Sequence, residues 1–334
     1  MEINKILQGD SLEVLKTLPD ESVNCCITSP PYWGLRDYGV EGQMGQEDTP
    51  EQFVETMMIL FREVRRVLKD NGTLWLDIGD TYNAMQGSGY PGTGQVNLNV
   101  KNVKQIINRK KDRTTDRWGG GQVGVKNLPA KNLLGIPWHL AFALQKDGWY
   151  LRQDIIWSKP NPMPESVTDR CTKAHEYIFL LSKSARYYFD NESIKEKTLT
   201  FDDSDRDRDA TRLNNTPGRT RMAGLKTNHY EMKNKRSVWE IATKPFSEAH
   251  FATFPEELIA PMIKAGCPEN GIVLDPFMGA GTTAVVAKKL GRNWLGIDLN
   301  PEYIQIARKR IEKTPQNLFQ KLSPTPLDGY PEQE

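Results

Sequence analysis

The sequence predicts an α/β fold, a mostly parallel, twisted sheet with helices on both faces. Three observations carry that expectation. Apolar runs such as "VNCCIT" (23–28), "TLWLDIGD" (73–80) and "IVLDPF" (272–277) have strand length and little polar alternation, as strands buried on both faces do. Stretches with helical spacing separate them, so strand and helix alternate. A glycine turn, "GAGTT" (279–283), joins one such run to a helix, as βαβ units require.

The elements follow in order. "NKILQGDSLEVLKTLPDES" reads as strand, turn and short helix, ended by Pro19-Asp20. After "VNCCIT", "TPEQFVETMMILFREVRRVLKDNG" is a helix, with Thr49 as N-cap, Pro50 at its first position and Asn71-Gly72 as its stop. Residues 83–132 interrupt the alternation with "MQGSGYPGTGQ" and "DRWGGGQVG". The helix "IPWHLAFALQKDGW" restores it, followed by strands in "YLRQDIIWSKP" and "HEYIFLLSKSARYYFD". Residues 195–237 form a second irregular stretch. Helix "FPEELIAPMIKAGCPENG", strand "IVLDPF", helix "GTTAVVAKKLGRN", strand "WLGIDLN" and helix "PEYIQIARKRIEK" close the pattern. The tail, 316–334, is polar and Pro-rich and is expected to fray.

A chain of 334 residues fits one large domain with insertions. No apolar stretch nears the about 20 residues of a membrane span. The start, "MEINKILQGD", has no signal pattern, so a soluble, cytoplasmic protein is expected. Cys25, Cys26, Cys171 and Cys267 form no C-x-x-C pair and read as small buried hydrophobes, with no metal site or disulfide. The net charge of +1 points to no partner, but its distribution does. The stretches 101–126 and 206–236 are rich in Lys and Arg, poor in apolar periodicity, and suited to a polyanion. A solvated charged face would look the same.

"IVLDPFMGAGTTAVVAKKLGRNWLGIDLN" has the shape of a nucleotide-type cofactor site. Gly279 and Gly281 would let the backbone approach a ligand, and Asp298, ending the next strand, would hold ribose hydroxyls. Dinucleotides and adenosyl cofactors share this geometry. Asp275, four residues before the first glycine, disfavours pyrophosphate and suits an ammonium or sulfonium. That favours S-adenosyl-L-methionine. A tight turn without a ligand is the plain alternative.

"DPFMGAGT" with "GIDLNPEY" resembles the cofactor half of amino-group DNA methyltransferases, and "TSPPY" (28–32) resembles their catalytic loop. With the catalytic loop first and the cofactor turn last, the order is that of the circularly permuted β class. The resemblance covers most of residues 3–80, 133–192 and 238–313, and neither irregular stretch. It implies the Rossmann-like methyltransferase fold in residues 1–194 and 238–315, with an insertion at about 83–132 and a DNA target-recognition segment at 195–237. It also implies double-stranded DNA as substrate, a separate restriction endonuclease as companion, and a monomer or homodimer.

The resemblance assigns the reaction as attack of an exocyclic amine on a sulfonium methyl. The Ser29 hydroxyl and Pro30 carbonyl would accept the amine's N–H bonds and free its lone pair, with Pro30 and Pro31 holding them in place. Tyr32 would stack on a base flipped from the duplex. No cysteine lies in this loop, so ring-carbon methylation is rejected. By the same resemblance Asp10, Phe277, Gly279, Gly281, Thr282 and Asp298 line the cofactor site, Asp275 helps hold the cofactor's amino-acid end, directly or through the backbone turn, and His250, Phe254 and Pro255 lie near the methionine end. Asp10 would equally serve as the N-cap of "SLEVLKTL". Lys159, Asn161 and Pro162 would wall the base pocket, and Glu176 would brace the fold. Lys110, Lys111, Arg113, Arg206, Arg208, Arg212, Arg219 and Arg221 are candidates for DNA contact, mostly with phosphates. Ser at the head of the loop favours N4 of cytosine, with N6 of adenine as the alternative. An oxidoreductase on the same turn leaves "TSPPYW" unexplained. A silent DNA-binding module, or an RNA or protein substrate, fits the paired motifs less well.

Overall fold

The computed structural model describes residues 1–34, 42–83, 125, 128–197, 232–244 and 254–315. Its centre is strand β2 (Val23–Thr28), in which Cys25, Cys26, Ile27 and Thr28 are all buried. β2 pairs in parallel with β3 (Leu68–Ile78) on one side and with β9 (Ile272–Asp275) on the other. β10 (Asn293–Asp298) and β1 (Lys5–Gln8) extend the sheet beyond β9, both in parallel. Beyond β3 lie β5 (His175–Ser182), antiparallel to its neighbours, β4 (Tyr150–Ser158) and the short β8 (Val238–Glu240). The order is β1-β10-β9-β2-β3-β5-β4-β8, mostly parallel as the sequence predicts.

The pleat divides the core in two, because successive strand side chains point to opposite faces. Cys25, Ile27 and Trp75 join one apolar cluster with α4 (Glu256–Gly266), α5 (Thr282–Lys289) and α6 (Pro301–Lys313). Cys26, Leu74 and Leu76 join the other with α1 (Ser11–Lys16), α2 (Pro50–Val67) and α3 (Ile136–Lys146). Burial raises the Cys25 and Cys26 thiols well above the ordinary range, so neither is a ready nucleophile. Cys171 departs from expectation: it lies exposed, because it sits in the β4–β5 connection and not on a strand.

α2 starts as predicted, with Pro50 first and the Thr49 hydroxyl accepting from the Gln52 N–H at 3.2 Å. Phe53, Met57, Leu60, Phe61, Val64 and Val67 form its buried face. It ends earlier than Asn71-Gly72. Leu68 is already extended, with ψ of 139°, and pairs with Val23, so the strand begins at once. Asn71-Gly72 falls in the irregular start of β3, where the β2–β3 register shifts. α3 begins at Gly135, whose φ of 70° favours glycine. The Asp80 carboxylate accepts from the N–H groups of Gly135 and Ile136, at 3.2 and 3.1 Å, and so caps the helix from the end of β3.

Both irregular stretches leave and rejoin the fold at one place. A bridge between Tyr82 and Leu133, with Asn83 N–H to Asn132 O at 2.7 Å, closes the stem of the first. A two-stranded ribbon, β6 (Glu196–Lys197) with β7 (Met232–Lys233), closes the second. The tail, 316–334, lies outside the described residues.

Candidate active site

Two loops meet where β2 and β9 lie side by side. The chain leaves β2 for β3 on one side of the sheet centre, and leaves β9 for β10 on the other. Their connections diverge, and a crevice opens beyond the strand ends, the position where open α/β sheets bind ligands. The Thr28 hydroxyl donates to the Asp275 carboxylate at 2.8 Å, and the Ser11 hydroxyl donates to the Pro276 carbonyl at 2.6 Å. These two bonds tie the end of β2 and the start of α1 to the segment that leads into the glycine turn. The crevice is a cavity of about 390 Å³ whose wall includes Ser29, Pro30, Pro31 and Tyr32 together with Phe277, Gly279, Thr282 and Asp298. Segments more than two hundred residues apart in sequence thus share one cavity.

On the cofactor side, the Asp298 carboxylate accepts from the Gly279 N–H at 2.7 Å and the Asn300 N–H at 2.8 Å. Burial raises its pKa, and these backbone bonds oppose the rise. Asp10 caps α1, accepting from the Glu13 N–H at 3.0 Å, and lines the cavity as well, so capping does not withdraw it from the crevice. Phe254 lines the same wall. The Arg310 guanidinium donates to the Ala280 carbonyl and to the Thr282 hydroxyl, which ties the turn to α6.

Three expected cofactor residues do not reach the cavity. Asp275 is fully buried, and both carboxylate oxygens are engaged: Oδ1 accepts from Thr28 and the Phe277 N–H, Oδ2 from the Thr283 hydroxyl at 2.7 Å. Burial pushes its pKa up to about 6. Its side chain braces the turn, so of its two expected ways of acting the indirect one, through the backbone, is the one this placement allows. Gly281 has φ of 80° and packs against α6, where an added Cβ would stand 2.8 Å from the Ala307 Cβ. Its smallness serves helix packing, and only Gly279 lies at the cavity. Pro255 is buried at the start of α4, outside the cavity.

In the loop that follows β2, Pro30 is buried while Ser29, Pro31 and Tyr32 are half-buried. The Tyr32 hydroxyl donates to Glu176 Oε2 at 3.0 Å, and the Ser29 hydroxyl stands 3.3 Å from the Tyr32 oxygen. Lys159 Nζ pairs with Glu176 Oε1 and lies 4.2 Å from the centre of the Trp157 ring. Lys159, Glu176 and Trp157 all line the cavity. Asn161 and Pro162 do not. The Asn161 side chain clasps the backbone of Thr243, which does. Gly79 gives the Tyr32 ring its place, since a Cβ there would come within 2.6 Å of the ring.

Sequence reasoning missed Asp77. It lies on β3, 4% exposed, lines the cavity, and has one carboxylate oxygen without a hydrogen bond. Burial, reinforced by the nearby Glu176, raises its pKa well above the usual carboxylate range. A lone acid inside the apolar run "TLWLDI" was the available signal. Lys110, Lys111, Arg113, Arg206, Arg208, Arg212, Arg219, Arg221 and His250 lie outside the described residues.

The walls fit the cofactor the motifs imply: a glycine turn for close approach, acids for hydroxyls and positive charge, and Phe277 and Phe254 for apolar contact. The DNA methylase family model matches residues 23–309. The type II methyltransferase M.Cfr9I of Citrobacter freundii is 43% identical over 321 residues, spanning 96% of this chain and 92% of that protein. Among solved structures, the PvuII DNA methyltransferase (cytosine-N4-specific) superposes with a TM-score of 0.60 at 18% identity, covering 93% of this chain and 86% of the other. The putative DNA modification methylase TTHA0409 of Thermus thermophilus, in complex with S-adenosyl-L-methionine, superposes with a TM-score of 0.56 at 22% identity, covering 93% and 94%. With the family model matching residues 23–309 and a relative 43% identical across nearly its whole length, this chain belongs to the N4/N6 amino-group DNA methyltransferases of type II, enzymes whose methyl donor is S-adenosyl-L-methionine.

Proposed function

We propose that the protein methylates N4 of cytosine at a specific site in double-stranded DNA, with the target base flipped into the cavity. The observation that carries this reading is Ser29, half-buried in the cavity wall that also holds Gly279 and Asp298. When bound, the cofactor supplies an electrophilic methyl on a sulfonium. Ser29 and the Pro30 carbonyl accept the two N–H bonds of the amine and draw its nitrogen toward tetrahedral geometry. The proline pair fixes both acceptors beforehand, so little ordering remains for the transition state. The Tyr32 ring offers a stacking face to the extruded base. Asp77, with one carboxylate oxygen free of hydrogen bonds, lines the same cavity and stands ready to hydrogen-bond the base or its amine. On the cofactor side, Asp298 and Asp10 take the ribose and adenosyl polar groups, while Phe277 and Phe254 pack along it.

Residues 195–237 form the target-recognition segment in this reading. Their basic composition supports that role. The companion is an endonuclease cutting the same site. Nucleoside digestion of DNA methylated by the purified protein, followed by mass spectrometry, tests the base. N4-methyldeoxycytidine is expected. N6-methyldeoxyadenosine without it would reassign the substrate to adenine.

A further inference from the structure

We infer that Glu176 and Tyr32 are positioning residues that act through Ser29, turning its hydroxyl proton away from the substrate so that its lone pairs face the cavity. The inference rests on Ser29 as an acceptor for the substrate amine. A serine hydroxyl is ambivalent: it rotates, and it donates as readily as it accepts. Turned the wrong way, its hydrogen would point at the amine's own hydrogens. The Ser29–Tyr32–Glu176 chain removes that choice.

The directions follow from the end of the chain. The Glu176 carboxylate can only accept, so the single phenolic hydrogen of Tyr32 must lie in the 3.0 Å contact between them. The Tyr32 oxygen is then an acceptor toward Ser29. Only the Ser29 hydrogen can fill that 3.3 Å contact. The distance is long for a hydroxyl pair, as catalytic contacts are before the substrate complex forms. With its hydrogen committed, the Ser29 oxygen keeps its lone pairs for the cavity it lines.

Each member is held in place. Glu176 sits on β5 in register with Trp157 of β4, on a strand and not a loop. Lys159 grips its other oxygen and rests over the Trp157 ring. The Tyr32 ring lies against Gly79, where no side chain intervenes. Burial and the nearby acids Asp77 and Glu176 push the Tyr32 hydroxyl well above its usual range, so it stays a donor.

The test uses single-turnover methylation, by the full chain, of a plasmid that the wild-type enzyme modifies. Tyr32→Phe keeps the ring and removes the relay. Glu176→Gln lets an amide N–H donate to the Tyr32 oxygen and reverse the chain. Each should lower the transfer rate constant about tenfold, with cofactor and DNA affinities within about twofold of wild type. The double variant should be no slower than Tyr32→Phe alone, because Glu176 acts only through that hydroxyl. In a Ser29→Ala background, Tyr32→Phe should cost nothing further. A wild-type rate for Tyr32→Phe, losses that multiply in either pairing, or a change confined to DNA affinity would overturn the relay. Ser29→Ala separates the two readings. If it alone keeps the wild-type rate, the acceptor assignment has failed. If it falls while Tyr32→Phe does not, only the relay has.

Discussion

Asp275→Asn tests the assignment of that carboxylate as a brace. In the native protein the group is fully buried, and burial pushes its pKa up to about 6, from 3.8 for an ordinary aspartate. Below the unfolded value both states carry the proton, and burial costs nothing extra. Between about 3.8 and 6 the unfolded state has released the proton that the native state keeps, so stability falls across that window and levels off above it, where the native state buries a charge. The gap of about two pH units corresponds to about 3 kcal/mol. Asparagine stays neutral throughout. Its Oδ1 keeps the bonds from Thr28 and Phe277, and the Thr283 hydroxyl rotates to accept from the amide. Urea unfolding of both proteins at several pH values between about 4 and 8 should show the variant gaining on wild type by about 3 kcal/mol. Isothermal titration with S-adenosyl-L-methionine should show affinity within a fewfold of wild type. A stability difference that does not vary with pH would refute the buried-charge argument. A hundredfold loss of cofactor affinity in a folded variant would restore Asp275 as a ligand contact.

Other outcomes follow from the same geometry. Ser29→Ala should slow methyl transfer by about a hundredfold, read in single-turnover assays, with cofactor binding unchanged. Gly281→Ala places a methyl 2.8 Å from the Ala307 Cβ at a φ of 80°, and should destabilise the fold by about 1–3 kcal/mol in thermal unfolding. Asp80→Ala removes both caps on α3 and should cost about 1–2 kcal/mol in urea titration.

The sequence by itself determined most of the element order, because burial on both sheet faces and helical spacing are local patterns that a reader can count. "VNCCIT" as a central strand and Thr49-Pro50 as a helix start are of this kind. So is the pairing of a proline-stiffened loop with a glycine turn, since each motif carries its own chemistry. The tertiary structure alone decided what each side chain faces. Asp275 and Asp298 both end strands of one βαβ unit, yet Thr28 and Thr283 enclose the first while the second stands on the cavity wall. Gly279 and Gly281 are two residues apart, but the first lies on the cavity wall and the second packs against α6. Glu176 meets Tyr32 because β5 runs antiparallel beside β3, a neighbour relation that no local pattern encodes. Periodicity fixes which way a residue points relative to its own element. What lies in that direction depends on strand order, which is set by packing between distant segments.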